Sequence, residues 1–234
     1  MFRYLAAVLG MVCVVGAAQQ AAGPPGGAPG LAPWQAEIQR RHQALMDLNG
    51  PGTNAALRDE LLKMRDQDQQ ARGISTGATS EEHPGMAANL GEIDAALTAQ
   101  LKTIVETSGW PTIALVGMDA SNAAMLVLTH TRDHAWQGSL LPELEALADH
   151  RQIDGSALAF VIDKNLVAEH QLQRYGTQFK SMDDGTIAMY GVEDPAGLDK
   201  RRETVMLPPM DVYEQQLAKM YHLKVSGKIV SAAK

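Results

Sequence analysis

Ala120-Ser-Asn-Ala-Ala-Met-Leu-Val-Leu-Thr-His-Thr131 reads as a helix that is apolar on every side through Ala123-Ala-Met-Leu-Val-Leu128. A helix without a polar face must be surrounded by other elements, so this stretch predicts the centre of a helical fold. Upstream, Asn89 followed by Glu92 makes a capping-box-like start. Leu90, Ile93, Leu97, Leu101 and Ile104 then form one apolar stripe that Gly109-Trp110-Pro111 ends. Further back, a helix over about 34–48 stops at Asn49-Gly50-Pro51-Gly52, and the next starts from a Thr53 or Asn54 cap and ends at Gly73.

Downstream, a helix from Asp133 carries Trp136, Leu140, Leu144 and Leu147 on one face, with a kink or restart expected at Pro142. Another helix is expected over 156–170. The period then becomes two: Tyr175, Thr177 and Phe179 share a face, Asp184-Gly185 supplies a turn, and 186–192 returns. On that first strand Gln173, Tyr175 and Thr177 are expected on one side, with Arg174 and Gln178 on the other. Asp194-Pro195 caps a short helix, and Pro208-Pro209 precedes a last one with Val212, Tyr213, Leu217 and Met220. The expected fold is mainly α: a single helical domain over 34–223, of about six to eight helices, with one small β-hairpin near 172–192 and a tail at 224–234.

A chain of 234 residues that is 45% hydrophobic is large enough to bury a substantial core. The net charge of −7, with basic residues interleaved among acidic ones, argues against nucleic acid as a partner, and no polybasic membrane patch is present. Arg3 precedes an apolar run from Tyr4 to Ala18 that ends in small residues, the layout of a signal peptide over 1–18. The run is shorter than the roughly 20 residues that span a bilayer, and Val12 before Cys13 does not suit a lipoprotein signal. The expectation is an exported protein, periplasmic or extracellular, with no stable membrane insertion after cleavage. A Pro/Gly/Ala-rich linker follows over 19–33. Cleavage removes the only cysteine, and with it any disulfide, thiol nucleophile or thiolate metal site.

No G-x-S-x-G elbow, phosphate loop or dinucleotide glycine pattern occurs, so no cofactor is expected. The candidate chemistry lies elsewhere. The stripe Leu57, Leu61, Met64 runs on into Asp68 and Arg72. Asp68 is a candidate base or ligand acceptor and Arg72 a candidate anion clamp; an i,i+4 ion pair is the structural alternative. His130, closing the most apolar helix, is a general acid/base candidate. His130 and His134 are spaced as in an inverted zinc-protease motif, but Asp133 stands where that motif has Glu and no third ligand is identifiable, so no metal is expected. Gln173, Tyr175 and Gln178 suit contacts to a small polar ligand such as a sugar or peptide, or the attachment of a helix to the hairpin.

Several segments in order resemble a bacterial family, the domain of unknown function 6624. They are Asp68-Gln-Gln-Ala-Arg72, Gly109-Trp-Pro111, His130 with Gln137, Ala157-Leu-Ala-Phe-Val-Ile-Asp163, Gln173-Arg-Tyr-Gly-Thr-Gln178, and Asp194-Pro with Asp199-Lys-Arg-Arg202. The resemblance covers about Leu57 to Tyr213 and implies a shared polar set of Asp68, Gln69, Arg72, His130, Asp163, Gln173, Tyr175 and Gln178. This chain departs from the family's pattern at Thr129, at Lys164 and in the length between His130 and Gln137. The resemblance implies no activity, cofactor or partner. Two readings stay open. One is an exported protein with a polar cleft for a small polar ligand, a binding protein or a hydrolase with Asp68 and His130 as acid/base candidates. The other is a non-enzymatic envelope module whose polar set is a buried hydrogen-bond network. In either reading the set is expected to gather in one place.

Overall fold

The computed structural model describes residues 31–74 and 86–232; the expected signal segment, the expected linker up to residue 30 and residues 75–85 lie outside the described residues. The chain runs α1 Pro33–Asn49, α2 Ala55–Ala71, α3 Leu90–Ser108, the single turn α4 Ile113–Val116, and α5 Met118–His130. It continues with α6 His134–Asp149, α7 Gly155–Ala168, β1 Phe179–Ser181, β2 Thr186–Tyr190, a 3-10 turn at Pro195–Gly197, α8 Leu198–Thr204, α9 Met210–Tyr221 and β3 Lys224–Val230. The fold is mainly helical with a small sheet. Among the described residues no helix is long and apolar enough to cross a membrane.

Local chemistry sets most boundaries. The Asn54 side chain accepts from Leu57 N at the start of α2, and Gly73, just past its end, has φ +74, a left-handed angle that costs glycine nothing. Asp133 caps α6 by accepting from Trp136 N, and Asp154 caps α7 by accepting from Ser156 N. Asn89 makes no such bond at α3, so the capping box expected there does not form. Pro142 sits inside α6 without ending it.

As its all-round apolarity demands, α5 is enclosed, packing against α2, α3, α4 and α7. Leu61, Met64, Leu97, Leu101, Met125, Leu128 and Val161 form the heart of this core. A second cluster, Phe160, Phe179, Ile187, Leu207, Tyr213 and Leu217, joins α7 to the sheet and α9. Tyr213 receives Phe160 and Phe179 edge-on at 6.3 and 6.0 Å between ring centroids, in the range aromatic pairs favour. The wall between the two cores is α7, which sends Val161 and Ile162 into one and Ala159 and Phe160 into the other.

Two expectations about β-structure are corrected. Residues 173–178 do not form a strand: apart from a bridge between Gln173 and Val192 they are a loop, and the hairpin is β1 with β2, closed at Gly185 (φ +77). The polar side chains that broke the apolar alternation there are committed to hydrogen bonds that bend the backbone. Residues 224–230, expected as part of a tail, are β3, which pairs in parallel with β2 in the order β1-β2-β3. Polar Ser226, Gly227 and Lys228 masked its character, because an edge strand with one face in solvent carries only a weak apolar signature.

Candidate functional site

The ends of α2 and α5 meet. Asp68 and His130, 62 residues apart in sequence, stand with Asp68 Oδ1 2.5 Å from His130 Nδ1, and both side chains are almost fully buried. One turn on from Asp68, Arg72 places Nε 3.3 Å from each Asp68 oxygen and donates from Nη2 to Asp94 Oδ1 at 2.6 Å. Gln69 Nε2 donates to the other Asp68 oxygen at 2.9 Å. Thr98 Oγ1 ties the site to the turn after α5 by donating to Thr131 Oγ1.

This geometry assigns the proton on His130. Arg72 Nε lies 3.0 Å from His130 Nδ1, yet an arginine nitrogen can only donate, and its donation to Asp68 is available on the same side. Burial pulls the His130 imidazole below its ordinary value, the opposing pull of Asp68 notwithstanding, so the ring is neutral. Burial also acts most strongly on Asp68, pushing it up, but the hydrogen bond from His130 and the Arg72 guanidinium outweigh it and hold the carboxylate ionised. A neutral ring beside an anion carries its proton on Nδ1 and donates it to Asp68. The lone pair is then on Nε2, which is buried and has no hydrogen-bond partner among the described residues. Asp94 is pushed up by burial, with Arg72 opposing.

A buried neutral histidine leaves a mark on stability. The unfolded chain takes up a proton as pH falls through the ordinary 6.5, whereas folded His130 does so only at lower pH. Stability is therefore expected to decline as pH drops below 6.5 and to stop declining from this source once the folded-state value is passed. Melting temperatures between about pH 5 and 8 test this: His130→Gln should flatten the decline, and an unchanged slope would show that His130 is not the group responsible.

The rest of the expected polar set lies elsewhere, on the other side of α7. Asp163, fully buried, accepts from the backbone N–H groups of Arg174, Tyr175 and Thr177 and from Thr177 Oγ1, at 2.7 to 3.2 Å. Burial pushes its carboxyl up while these four donors pull it back. The Gln173 amide bridges the carbonyls of Gln178 and Tyr190 and accepts from Gln178 N; Gln178 Nε2 donates to Thr177 Oγ1. Buried Arg202 completes the frame, donating to the carbonyls of Tyr175 and Pro208 and lying 4.7 Å from the Tyr213 ring. Tyr175 packs against both apolar cores, and burial raises its phenol.

The expectation of one shared site is thus corrected. Asp68, Gln69, Arg72 and His130 converge; Asp163, Gln173, Tyr175 and Gln178 form a separate framework, and none of the described hydrogen bonds joins the two. The physical reason is the direction of Asp163, which points from α7 towards the loop rather than towards α5. Gln137 belongs to neither, donating to Leu128 O at the end of α5. His130 and His134 do not share a helix, because Asp133 caps a new one between them. Among the described residues no group of three His, Cys, Asp or Glu side chains is placed to hold a metal ion.

Sequence reasoning gave no structural role to Asp94, to Arg202 or to the buried pair of His42 Nε2 and Asp154 Oδ2, 3.3 Å apart. Three of these carried a readable signal: Asp94 lies between Leu90 and Leu97 on one helical stripe, His42 between Ile38 and Leu45, and Arg202 four residues after Leu198. A sizeable cavity of about 590 Å³, lined by Met46, Asp47, Arg58, Leu62, Met118 and Asp119, sits at the opposite ends of α2 and α5 and takes no part in this chemistry.

A helical domain with a small sheet, holding a buried carboxylate–histidine pair between two helix ends, defines the class. The chain belongs to a family of unknown function, DUF6624, whose match spans residues 55–226, from the first turn of α2 into β3. Neither curated proteins nor solved structures gave a match.

Proposed function

We propose that the protein is exported and that Asp68 and His130 form the acid–base centre of a site for a small polar ligand, sugar or peptide-like, with hydrolysis as its reaction. The observation that carries this is His130 Nε2, a buried lone pair without a partner among the described residues, on a ring whose other nitrogen is locked to Asp68. An unsatisfied buried polar atom costs about 1 to 3 kcal/mol, and a catalytic role is one reason for a fold to keep such an atom. In this reading Nε2 removes a proton from water as the oxygen attacks the ligand, Asp68 stabilises the imidazolium, and Nε2–H then protonates the leaving group. Gln69 and Arg72 hold the Asp68 carboxylate in place.

The non-enzymatic envelope reading draws support from a different observation, the framework around Asp163, where the Asp163 carboxylate, the Gln173 amide, the Thr177 hydroxyl and Gln178 Nε2 are all hydrogen-bonded within the fold. We therefore assign Asp163, Gln173 and Gln178 to that framework and leave the chemistry to the α2–α5 site. A panel of chromogenic esters, amides and glycosides tests the assignment: turnover of at least one class is expected, and none across the panel would favour the envelope module. Export has its own measurement. The intact mass of protein recovered from outside the cytoplasm is expected to correspond to a chain starting at or shortly after Ala18; retention of Met1 or a lipid on Cys13 would overturn it.

A further inference from the structure

Asp94 lies on α3 one turn before Thr98, and both side chains are buried. Thr98 Oγ1 stands 2.7 Å from Asp94 O and 3.1 Å from Thr131 Oγ1, so this turn of α3 is tied to the residue that follows His130. The Asp94 carboxylate is tied to the other helix of the site, because Arg72 Nη2 donates to its Oδ1 at 2.6 Å. No other described hydrogen bond reaches that carboxylate. The same Nη2 is 3.3 Å from Asp68 Oδ1, and Nε is 3.3 Å from each Asp68 oxygen. Charge-assisted hydrogen bonds usually run about 2.7 to 2.9 Å, so the guanidinium leans on Asp94 and holds Asp68 only loosely. The short contact of Asp68 Oδ1, at 2.5 Å, is left to His130 Nδ1.

We propose that Asp94 is a positioning residue of the His130 centre: by holding Arg72 it leaves Asp68 to accept from His130, and it supplies the second negative charge that an imidazolium there requires. The inference rests on His130 as the acid–base centre and adds a group that acts on it through Arg72. Geometry gives the first reason. Without an anion at position 94 the guanidinium would be free to turn onto Asp68 and bind it through two parallel N–H groups, the arrangement arginine and carboxylate favour, and His130 would have to share its acceptor. Charge gives the second. With His130 neutral, the hydrogen-bonded group of Asp68, Arg72, Asp94 and His130 holds two carboxylates against one guanidinium, and a proton on the ring makes the group neutral. If Asp94 lost its charge, the same proton would leave a net positive charge in buried surroundings that solvate it poorly, and the imidazolium would be disfavoured. That imidazolium is the state in which the proposed reaction keeps the proton between attack on the ligand and release of the leaving group.

The test follows the His130 ring by nitrogen and proton NMR in wild type, Asp94→Asn and Asp94→Glu, and measures turnover of whichever ester, amide or glycoside the wild type accepts. Asp94→Asn is expected to lower the His130 titration midpoint by about one pH unit or more and to move the Nδ1–H resonance upfield at neutral pH as its bond to Asp68 lengthens. Its kcat should fall about tenfold or more with KM little changed. Asp94→Glu keeps the charge and should restore most of each. His130 signals and kcat that Asp94→Asn leaves unchanged would overturn the role even if its melting temperature falls, because a merely structural carboxylate moves only the latter. Wild type alone supplies a second measurement: the Arg72 Nη2 hydrogens should be distinct and slow to rotate, and averaged ones would overturn the clasp even if the asparagine variant does not fold. Shifted His130 signals in a protein that turns over none of the substrates would leave the positioning role standing and remove the hydrolytic reading, whereas turnover that Asp94→Asn leaves intact would do the reverse.

Discussion

Replacing Asp163 with alanine is expected to lower the free energy of unfolding by at least about 3 kcal/mol, the largest stability effect of any single side chain in the polar set. The carboxylate satisfies three backbone N–H groups and one hydroxyl in a place where its own exposure is 0%. Alanine leaves all four donors facing an apolar helix, each at a cost of about 1 to 3 kcal/mol unless water enters to replace the oxygens. The loop they organise also carries Gly176, at φ +66, and the Tyr175 carbonyl that receives Arg202, so its loosening would release a buried guanidinium as well. Asp163→Asn is no rescue, because it turns an NH2 group towards donors and keeps one acceptor where two were used. Urea unfolding of wild type and both variants measures this. A loss below about 1 kcal/mol for alanine would mean that the framework around Asp163 does not hold the hairpin to α7.

His130→Gln is expected to abolish most hydrolysis of whichever ester, amide or glycoside the wild type turns over, by about 10² to 10⁴ in kcat, the usual contribution of a positioned acid–base group. Glutamine carries an amide that can still donate to Asp68, so Asp68 and Arg72 keep their partners and stability should change by less than about 1 kcal/mol. Nε2 has no partner among the described residues, so its removal breaks no described hydrogen bond. Asp68→Asn is different in kind. It removes the anion that Arg72 and Gln69 serve and the acceptor that holds the His130 tautomer, so both turnover and melting temperature should fall. Equal kcat in wild type and His130→Gln would sink the acid–base role. A melting temperature that collapses in His130→Gln alone would instead make the pair a structural one.

The contrast between these variants follows from where each residue's partners lie: Asp163 is consumed by the loop over 174–177, whereas Asp68 and His130 meet at the ends of α2 and α5. The Gln173–Gln178 segment was readable as unusual because amides, a hydroxyl and a guanidinium interrupt a strand-like run. Its meaning was not readable, since a dense set of hydrogen-bonding groups serves a ligand or a fold equally well until the partners are known. Asp68 and Arg72 were legible as charges at the end of an apolar stripe, and His130 as the end of the most apolar helix. That the stripe and the helix end meet with 2.5 Å between Asp68 and His130 depends on how α2 lies against α5.

Sequence by itself determined what depends on neighbours within a few residues. The Asn54 cap, the start of α6 at Asp133, the left-handed Gly73 and Gly185, the stripe of α3 and the enclosure of α5 all follow from backbone geometry and from the cost of leaving apolar surface in water. Tertiary structure alone decided the pairing of groups far apart in the chain: His130 with Asp68, Arg72 with Asp94, Arg202 with the Tyr175 carbonyl, and β3 beside β2. The physical reason is that hydrogen bonds and ion pairs act over a few ångströms, and a sequence carries no distance between residues that only packing brings together.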